Sequence, residues 1–134
     1  MIDYQNEIFT NVATAIRSKH EGATISGEYT RHPSKFPAVT LDEIENVSVG
    51  ALADSSDREN YSGVTYRLQV FSNKVGGKKA EAREIFATAD SVMLGLGFRR
   101  ITYAPTPEIY ESTIYSITAT YEAIASVNGY IYKR

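Results

Sequence analysis

The sequence contains no cysteine and no apolar run long enough to cross a membrane. Without cysteine there is no disulfide framework, no thiolate zinc site and no cysteine nucleophile. A membrane-spanning helix needs about 20 mostly apolar residues, and the first twenty residues lack the basic start and apolar stretch of a signal peptide. We therefore expect one domain over residues 1–134 that stays in the cytoplasm and contacts no membrane.

Motifs for catalysis and metal binding are also missing. His20 and His32 lack the spacing that would place two ligands on one helical face, and no nucleophile elbow occurs. Asp42, Glu43 and Glu45 offer an acid/base pair or a metal site. In an extended strand, however, Glu43 and Glu45 share the solvent side. We expect a protein that is not an enzyme and that holds no cofactor or metal.

The formal net charge is only −2, but the charges are grouped along the chain. One acidic group spans Asp42, Glu43, Glu45, Asp54, Asp57 and Glu59, with Arg58 as the single base among them. A basic group follows at Lys74, Lys78, Lys79 and Arg83, with Glu81 as its single acid. The weak negative charge argues against nucleic acid as a partner, although the chain has ten tyrosines and five phenylalanines. Opposite charge clusters on a small domain are compatible with self-assembly.

Hydrophobic periodicity predicts an α+β fold. Apolar residues at helical spacing predict helices at about residues 3–19 and 78–96. Strict alternation in residues 63–73 predicts a half-buried strand, and residues 112–125 predict a long strand with Tyr115, Ile117, Ala119 and Tyr121 on one face. Shorter strands are expected near 23–29, after Pro37, at 98–105 and after the Asn-Gly pair at 128–129. Together these predict a mixed or antiparallel sheet of about five strands with both helices packed on one face.

Residues 46–62 are polar and rich in glycine and serine, so we predict a flexible loop there. "FSNKVGGKKAEAREIF", residues 71–86, raises a different question, because a glycine-lysine turn before a helix is typical of phosphate-binding loops. The Walker pattern needs a glycine at the position of Ser72 and a hydroxyl at that of Lys79. Two readings stay open, a solvent- or partner-facing turn and a generic anion site.

A set of motifs resembles the small tail terminator or tail completion proteins of long-tailed bacteriophages, often labelled minor capsid or neck proteins in prophages. The motifs are a strand ending in "SNK", the helix start "GGKKAEA", "GFRR" opening the next strand and a final "YEA…G.IY.R" hairpin. They cover the chain from about Tyr66 onward, with "FPAVTLDEIEN" as a weaker match upstream.

The resemblance implies a hexameric ring that caps the tail tube and joins the tail to the head connector. Its partners are then copies of itself, the major tail tube protein and the head-tail connector protein, first in the host cytoplasm and then in the virion. We predict assembly contacts at Asp54, Asp57, Arg58 and Glu59 in the acidic loop, and at Lys74, Lys78 and Lys79 in the basic turn. A head-closure or connector component, and a small anion- or nucleotide-binding regulatory domain, are the alternatives.

Overall fold

The computed structural model describes residues 2–30, 33–48, 61–107, 113–126 and 131–133. Two helices and six strands follow one another along the chain. They are α1 (Gln5–Lys19), β1 (Thr24–Ser26), β2 (Ala38–Ser48), β3 (Tyr61–Ser72), α2 (Lys78–Gly95), β4 (Arg99–Pro107), β5 (Tyr115–Ser126) and β6 (Ile131–Lys133). The predicted α+β class is confirmed.

All six strands belong to one mixed sheet with the order β1-β2-β3-β5-β4. β1 pairs with β2 in parallel, and the other pairs are antiparallel. β6 pairs with β5 opposite Ala123 to Ala125, beyond the stretch of β5 that β4 covers. The central strands β3 and β5 are therefore the framework on which the rest of the sheet is ordered.

Both helices lie on one face of this sheet, as predicted. The alternating residues Val64, Tyr66, Leu68 and Val70 of β3 are buried beneath them. The matching residues of β5 are Ile117, Ala119, Tyr121 and Ala123. They form one core with the helical stripes Ile8, Val12 and Ile16 of α1 and Ala82, Ile85, Ala89 and Met93 of α2. The apolar residues, every second one along the strands and every third or fourth along the helices, thus pack together in a single layer.

The second helix ends where its glycines predict. The Gly97 amide donates to the Leu94 carbonyl at 3.1 Å, and the Phe98 amide donates to the Met93 carbonyl at 3.1 Å. Gly97 has a φ of 106°, a left-handed conformation that glycine adopts without a steric penalty. This pair of bonds is a Schellman motif, which ends the helix and turns the chain into β4.

Two predicted boundaries were wrong. Both ends of the loop predicted at 46–62 belong to strands, because β2 continues to Ser48 and β3 begins at Tyr61, with Ser48 opposite Ser62 in the antiparallel register. Residues 49–60, which connect the two strands, lie outside the described residues. β4 likewise continues to Pro107, opposite Tyr115, whereas the strand predicted there ended at residue 105. In both places strand pairing outweighs local turn-forming composition.

The opposite face of the sheet is largely polar. Thr40 donates to Gln69 at 2.8 Å, Arg67 pairs with Asp42 at 2.8 Å, and further threonines follow on β4 and β5. One end of this face carries a small apolar cluster, formed by Phe36, Ala38, Phe71 and Ile114. Among the described helices, neither is long and apolar enough to cross a membrane.

Candidate assembly surface

The basic turn, residues 74–79, joins β3 to α2. The Gly77 amide donates to the Lys74 carbonyl at 3.3 Å, so the chain reverses within four residues. Gly76 lies at the tip with a φ of 76°, and a Cβ added there would meet no atom within 4 Å. Glycine is needed at this position for the backbone angle alone. The reversal brings Lys74, Lys78 and Lys79 to one end of the molecule.

A buried serine fixes the turn to the helix. The hydroxyl of Ser72, the last residue of β3, donates to the Glu81 carboxylate at 2.7 Å. The same hydroxyl accepts the Lys74 amide at 3.3 Å. Glu81 lies in the first turn of α2, where the helix dipole favours an acid. The Ser72 hydroxyl therefore holds the turn at both of its ends.

The surface beside the turn is an open, positively charged groove of about 750 Å³. Its lining includes Lys74, Lys78, Lys79, Arg83 and Thr113. Gly77, the N-cap of α2, supplies no side-chain capping bond. A Walker loop extends over about eight residues around its phosphates, whereas this four-residue turn closes on itself. The geometry favours a basic contact surface over a nucleotide loop.

The opposite end of the domain is acidic. α1 begins there, and Asp3 and Glu7 are exposed. The side-chain amide of Asn46 on β2 donates a 2.8 Å hydrogen bond to the Ile2 carbonyl and so ties the start of the chain to the sheet. Glu43 of β2 lies beside them and is half-buried. Burial raises the pKa of Glu43, and the neighbouring Asp3 carboxylate raises that pKa further. Hydrogen bonds from Tyr66 and Asn46 oppose the rise.

The acidic and basic ends are separated along the strand direction. β3 runs from Tyr61 to Ser72, a length of about 36 Å at roughly 3.3 Å per residue. α1 runs the same way, because its last residues, Lys19 and His20, line one cleft together with Lys74 and Gly77. The basic turn follows the far end of β3, whereas the acidic start of α1 lies near the middle and beginning of that strand.

The structure brings the three predicted lysines together, at one end of the fold. The other predicted contacts, Asp54, Asp57, Arg58 and Glu59, lie outside the described residues. In chain order they stand between Ser48 and Tyr61, the two strand ends farthest from the basic turn.

The predicted placement of Glu43 and Glu45 on one solvent-facing side was wrong. Glu43 opposes Tyr66 and faces the helices, on the same side of β2 as the buried Leu41. A bulge at Ile44 then places Glu45 opposite Thr65 on the other face. Alternation from Leu41 indicates the side of Glu43, whereas the bulge that separates Glu45 from it has no signal in the sequence. The acidic group found in the sequence includes Glu43 but not Asp3 and Glu7, which the start of α1 brings beside it.

The basic pair Arg99-Arg100 does not add to the positive charge of the groove. Arg100 binds Asp90 through two contacts of 2.8 Å, and Arg99 binds Glu122 at 2.8 Å. The hydroxyl of Tyr121 also donates to Asp90 at 2.7 Å. These pairs neutralise the start of β4, so its two arginines do not extend the positive charge of the basic turn.

Within the ranges given for this structure, no three His, Cys, Asp or Glu side chains are placed to hold a metal ion. Neither a scan against protein-family models nor a search of curated proteins matches this chain.

Proposed function

We propose that this chain is a structural assembly protein of a long-tailed bacteriophage. It forms a ring, in the first instance a hexamer, that caps the finished tail tube and presents the tail to the head connector. It acts by binding alone: the ring covers the growing end of the tube and so stops polymerisation. Assembly takes place in the host cytoplasm, and the ring remains at the junction of tail and neck in the virion.

One observation carries this proposal. A single small domain has an acidic end at Asp3, Glu7 and Glu43 and a basic end at Lys74 and Lys79. Two surfaces of opposite charge at opposite ends support a head-to-tail contact, which closes into a ring when the rotation between neighbours permits. The motifs that resemble tail terminator proteins support the same class of protein and indicate that it acts at the tail.

The test begins with the mass of the purified chain in solution. We expect a discrete oligomer, with six times 14.8 kDa for a hexamer, alone or upon addition of tail tubes. Because exposed charges are screened within about 10 Å at 0.1 M salt, raising the salt concentration is expected to shift the mass toward the monomer. A monomer at every salt and protein concentration, both with and without tubes, contradicts the proposal.

A head-closure or connector component is the second candidate, because the same charged ends serve a ring at either position. Incubation with purified tail tubes and, separately, with purified head connectors distinguishes the two. A terminator binds the tube end in the absence of the connector. A gene directly before that of a major tail protein also favours the terminator.

An anion-binding regulatory domain predicts a different result. Such a protein releases or absorbs heat upon titration with inorganic phosphate or ATP, and its melting temperature rises with ligand concentration. For an assembly surface we expect neither effect at physiological salt. A saturable heat that disappears in a Lys74→Ala, Lys79→Ala variant supports the regulatory domain instead.

A further inference from the structure

One apolar side chain of the basic turn is almost wholly in solvent. Val75 is 99% exposed and lies between Lys74 and the tip glycine Gly76. Single exposed apolar residues are common on protein surfaces. This one stands out because it projects from a tight turn and is followed by two glycines and two lysines. Val75 is therefore a small apolar protrusion with positively charged side chains around it, and we call it the knob.

A cavity with the complementary chemistry lies on the acidic side of the same domain. It has a volume of about 190 Å³ and lies between the first turns of α1 and strand β2. Phe9, Leu41 and Tyr66 provide its apolar walls, and Glu43 lines it as well. Gly27 lies at its rim, where a Cβ would make an ordinary contact with the Phe9 ring at 3.8 Å.

Glu43 has no cation beside it in the described part of the chain. The Tyr66 hydroxyl donates to its carboxylate at 3.1 Å, and the Asn46 amide donates at 3.4 Å. Both donors are neutral, and the nearest charge that acts on Glu43 is the repelling carboxylate of Asp3. A half-buried carboxylate in this setting is stabilised by a positive group that arrives from outside.

We propose that Val75 of one copy of this chain inserts into the cavity between Phe9, Leu41 and Tyr66 of a second copy. Lys74 of the first copy then lies next to Glu43 of the second. The inference rests on the proposed function for the premise that the chain assembles with itself, and it adds which two surfaces meet. A symmetric contact is disfavoured, because two basic turns or two acidic ends would face each other.

The contact joins two different surfaces, so each copy offers a knob to one neighbour and a cavity to the other. Such a heterologous contact gives a ring when it closes and a filament when it does not. The knob and cavity supply a buried apolar centre, and the charges around them select the orientation. The other groups at the contact are Asp3 and Glu7 on the acidic side and Lys79 on the basic side.

Cysteine crosslinking tests the pairing directly, because the chain has no cysteine of its own. One variant carries Val75→Cys, and the other carries Asn6→Cys at an exposed residue that lines the cavity. A short bis-maleimide is added to each variant alone and to their mixture, with one variant tagged. We expect the mixed dimer in the mixture and no dimer from either variant alone.

A chain that carries both cysteines should give a ladder of crosslinked products whose largest member reports the number of copies in the ring. The matched control replaces Val75→Cys with Ile101→Cys, an exposed apolar residue of β4. This control should not crosslink to Asn6→Cys. Dimers from Val75→Cys alone would show a symmetric contact and overturn the inference.

The outcomes separate this inference from the proposed function. If the wild-type chain forms oligomers but the mixture gives no mixed dimer, the inference is wrong and the proposed function stands. If the mixed dimer forms but the chain never binds a tail tube, the inference stands and the tail function is wrong. Crosslinking of Val75→Cys to a tube protein, without a mixed dimer, assigns the knob to that partner and overturns the inference.

Substitution of the knob gives an independent measure. Val75→Asp should weaken self-association at least tenfold, because a charged group cannot enter the apolar cavity without a partner. Val75→Ala should weaken it less. Since Val75 is exposed in the single chain, neither change should alter the melting temperature of the monomer. Unchanged association of Val75→Asp contradicts the proposed contact.

Discussion

The Tyr66 hydroxyl donates a 3.1 Å hydrogen bond to the carboxylate of Glu43, across the pair of strands β2 and β3. Tyr66 belongs to the core beneath the helices, and its ring packs edge-on against Phe98 at 5.3 Å. Burial also raises the pKa of the Tyr66 hydroxyl, so it stays protonated and remains a donor. The carboxylate is thus held at the margin of the core, with neutral donors around it.

This position makes the stability of the fold dependent on the charge of Glu43. Its pKa is raised above the ordinary value of 4.5, first by burial. The folded state therefore favours the protonated form, and the resulting contribution to stability is present below pH 4.5 and is lost as the pH rises through the folded-state pKa. Asp3 and Glu7 are the charged neighbours on α1 and its start.

A Glu43→Gln variant removes this dependence. Relative to the wild type, its free energy of unfolding should rise between pH 4 and pH 7, because only the wild type must bury the charge at the higher pH. Urea unfolding of both proteins at the two pH values measures the difference. Glu45→Gln, on the other face of the sheet, is the control and should show little pH-dependent change. A Glu43→Gln protein whose relative stability falls toward pH 7 contradicts the assigned environment.

The hydroxyl of Tyr121 holds Asp90 from inside the core. Tyr121 is fully buried, and its hydroxyl donates to Asp90 at 2.7 Å. Tyr121→Phe should lower the free energy of unfolding by about 1.5 kcal/mol, since hydrogen bonds to charged groups are worth about 1.5–3 kcal/mol and Arg100 still pairs with Asp90. Arg100→Ala should cost less than about 1 kcal/mol, because its side chain is 40% exposed. If denaturant unfolding shows that Tyr121→Phe and Arg100→Ala lower the free energy of unfolding equally, the larger role given to the Tyr121 hydrogen bond is contradicted.

The tip of the basic turn depends on the backbone freedom of glycine. Gly76→Ala should destabilise the fold by roughly 1 kcal/mol, because alanine is strained at a φ of 76° although no atom blocks its Cβ. Gly95→Ala is the matched control, since Gly95 ends α2 at an ordinary φ with equal space. That change should stabilise the fold by roughly 0.5 kcal/mol. Thermal unfolding that moves both variants in the same direction would disprove the explanation.

Charge reversal in the basic turn should affect stability and assembly in opposite directions. Lys79 stands in the first turn of α2, where the helix dipole disfavours a positive charge, and Lys74 is exposed in the turn before it. A Lys74→Glu, Lys79→Glu variant should therefore unfold at the same or a higher temperature than the wild type, while its oligomers dissociate. Lys74→Gln, Lys79→Gln should show an intermediate loss of assembly. Sedimentation and thermal unfolding of the same samples give both results, and intact oligomers in the Glu variant would argue against the assigned surface.

Local patterns were sufficient for the elements that form the core. The stripe of α2 and the alternation in β3 and β5 follow from the periods of helix and strand, so their buried faces were predicted correctly. The Asn-Gly pair likewise precedes β6, which pairs back on β5. These features depend on residues close together in sequence.

Features that depend on pairing between residues far apart in the sequence could not be predicted. The parallel contact of β1 with β2 joins Thr24 to Ala38, and the neighbour of β3 is β5 rather than β4. The bulge at Ile44, which places Glu45 on the face opposite to Glu43, has no glycine or proline to mark it. The sequence did not join Asp3 and Glu7 to Glu43, because they are distant from it along the chain, whereas the basic turn was found because its lysines are consecutive or nearly so.

Electron microscopy of purified tail tubes mixed with the purified chain tests the central claim most directly. The account predicts rings of uniform size at one end of each tube, and predicts that such tubes no longer lengthen when tube protein is added. The Lys74→Glu, Lys79→Glu variant, once thermal unfolding has shown that it is folded, should leave the tube ends bare. Tubes that remain uncapped and continue to grow with the wild-type chain present would contradict the account.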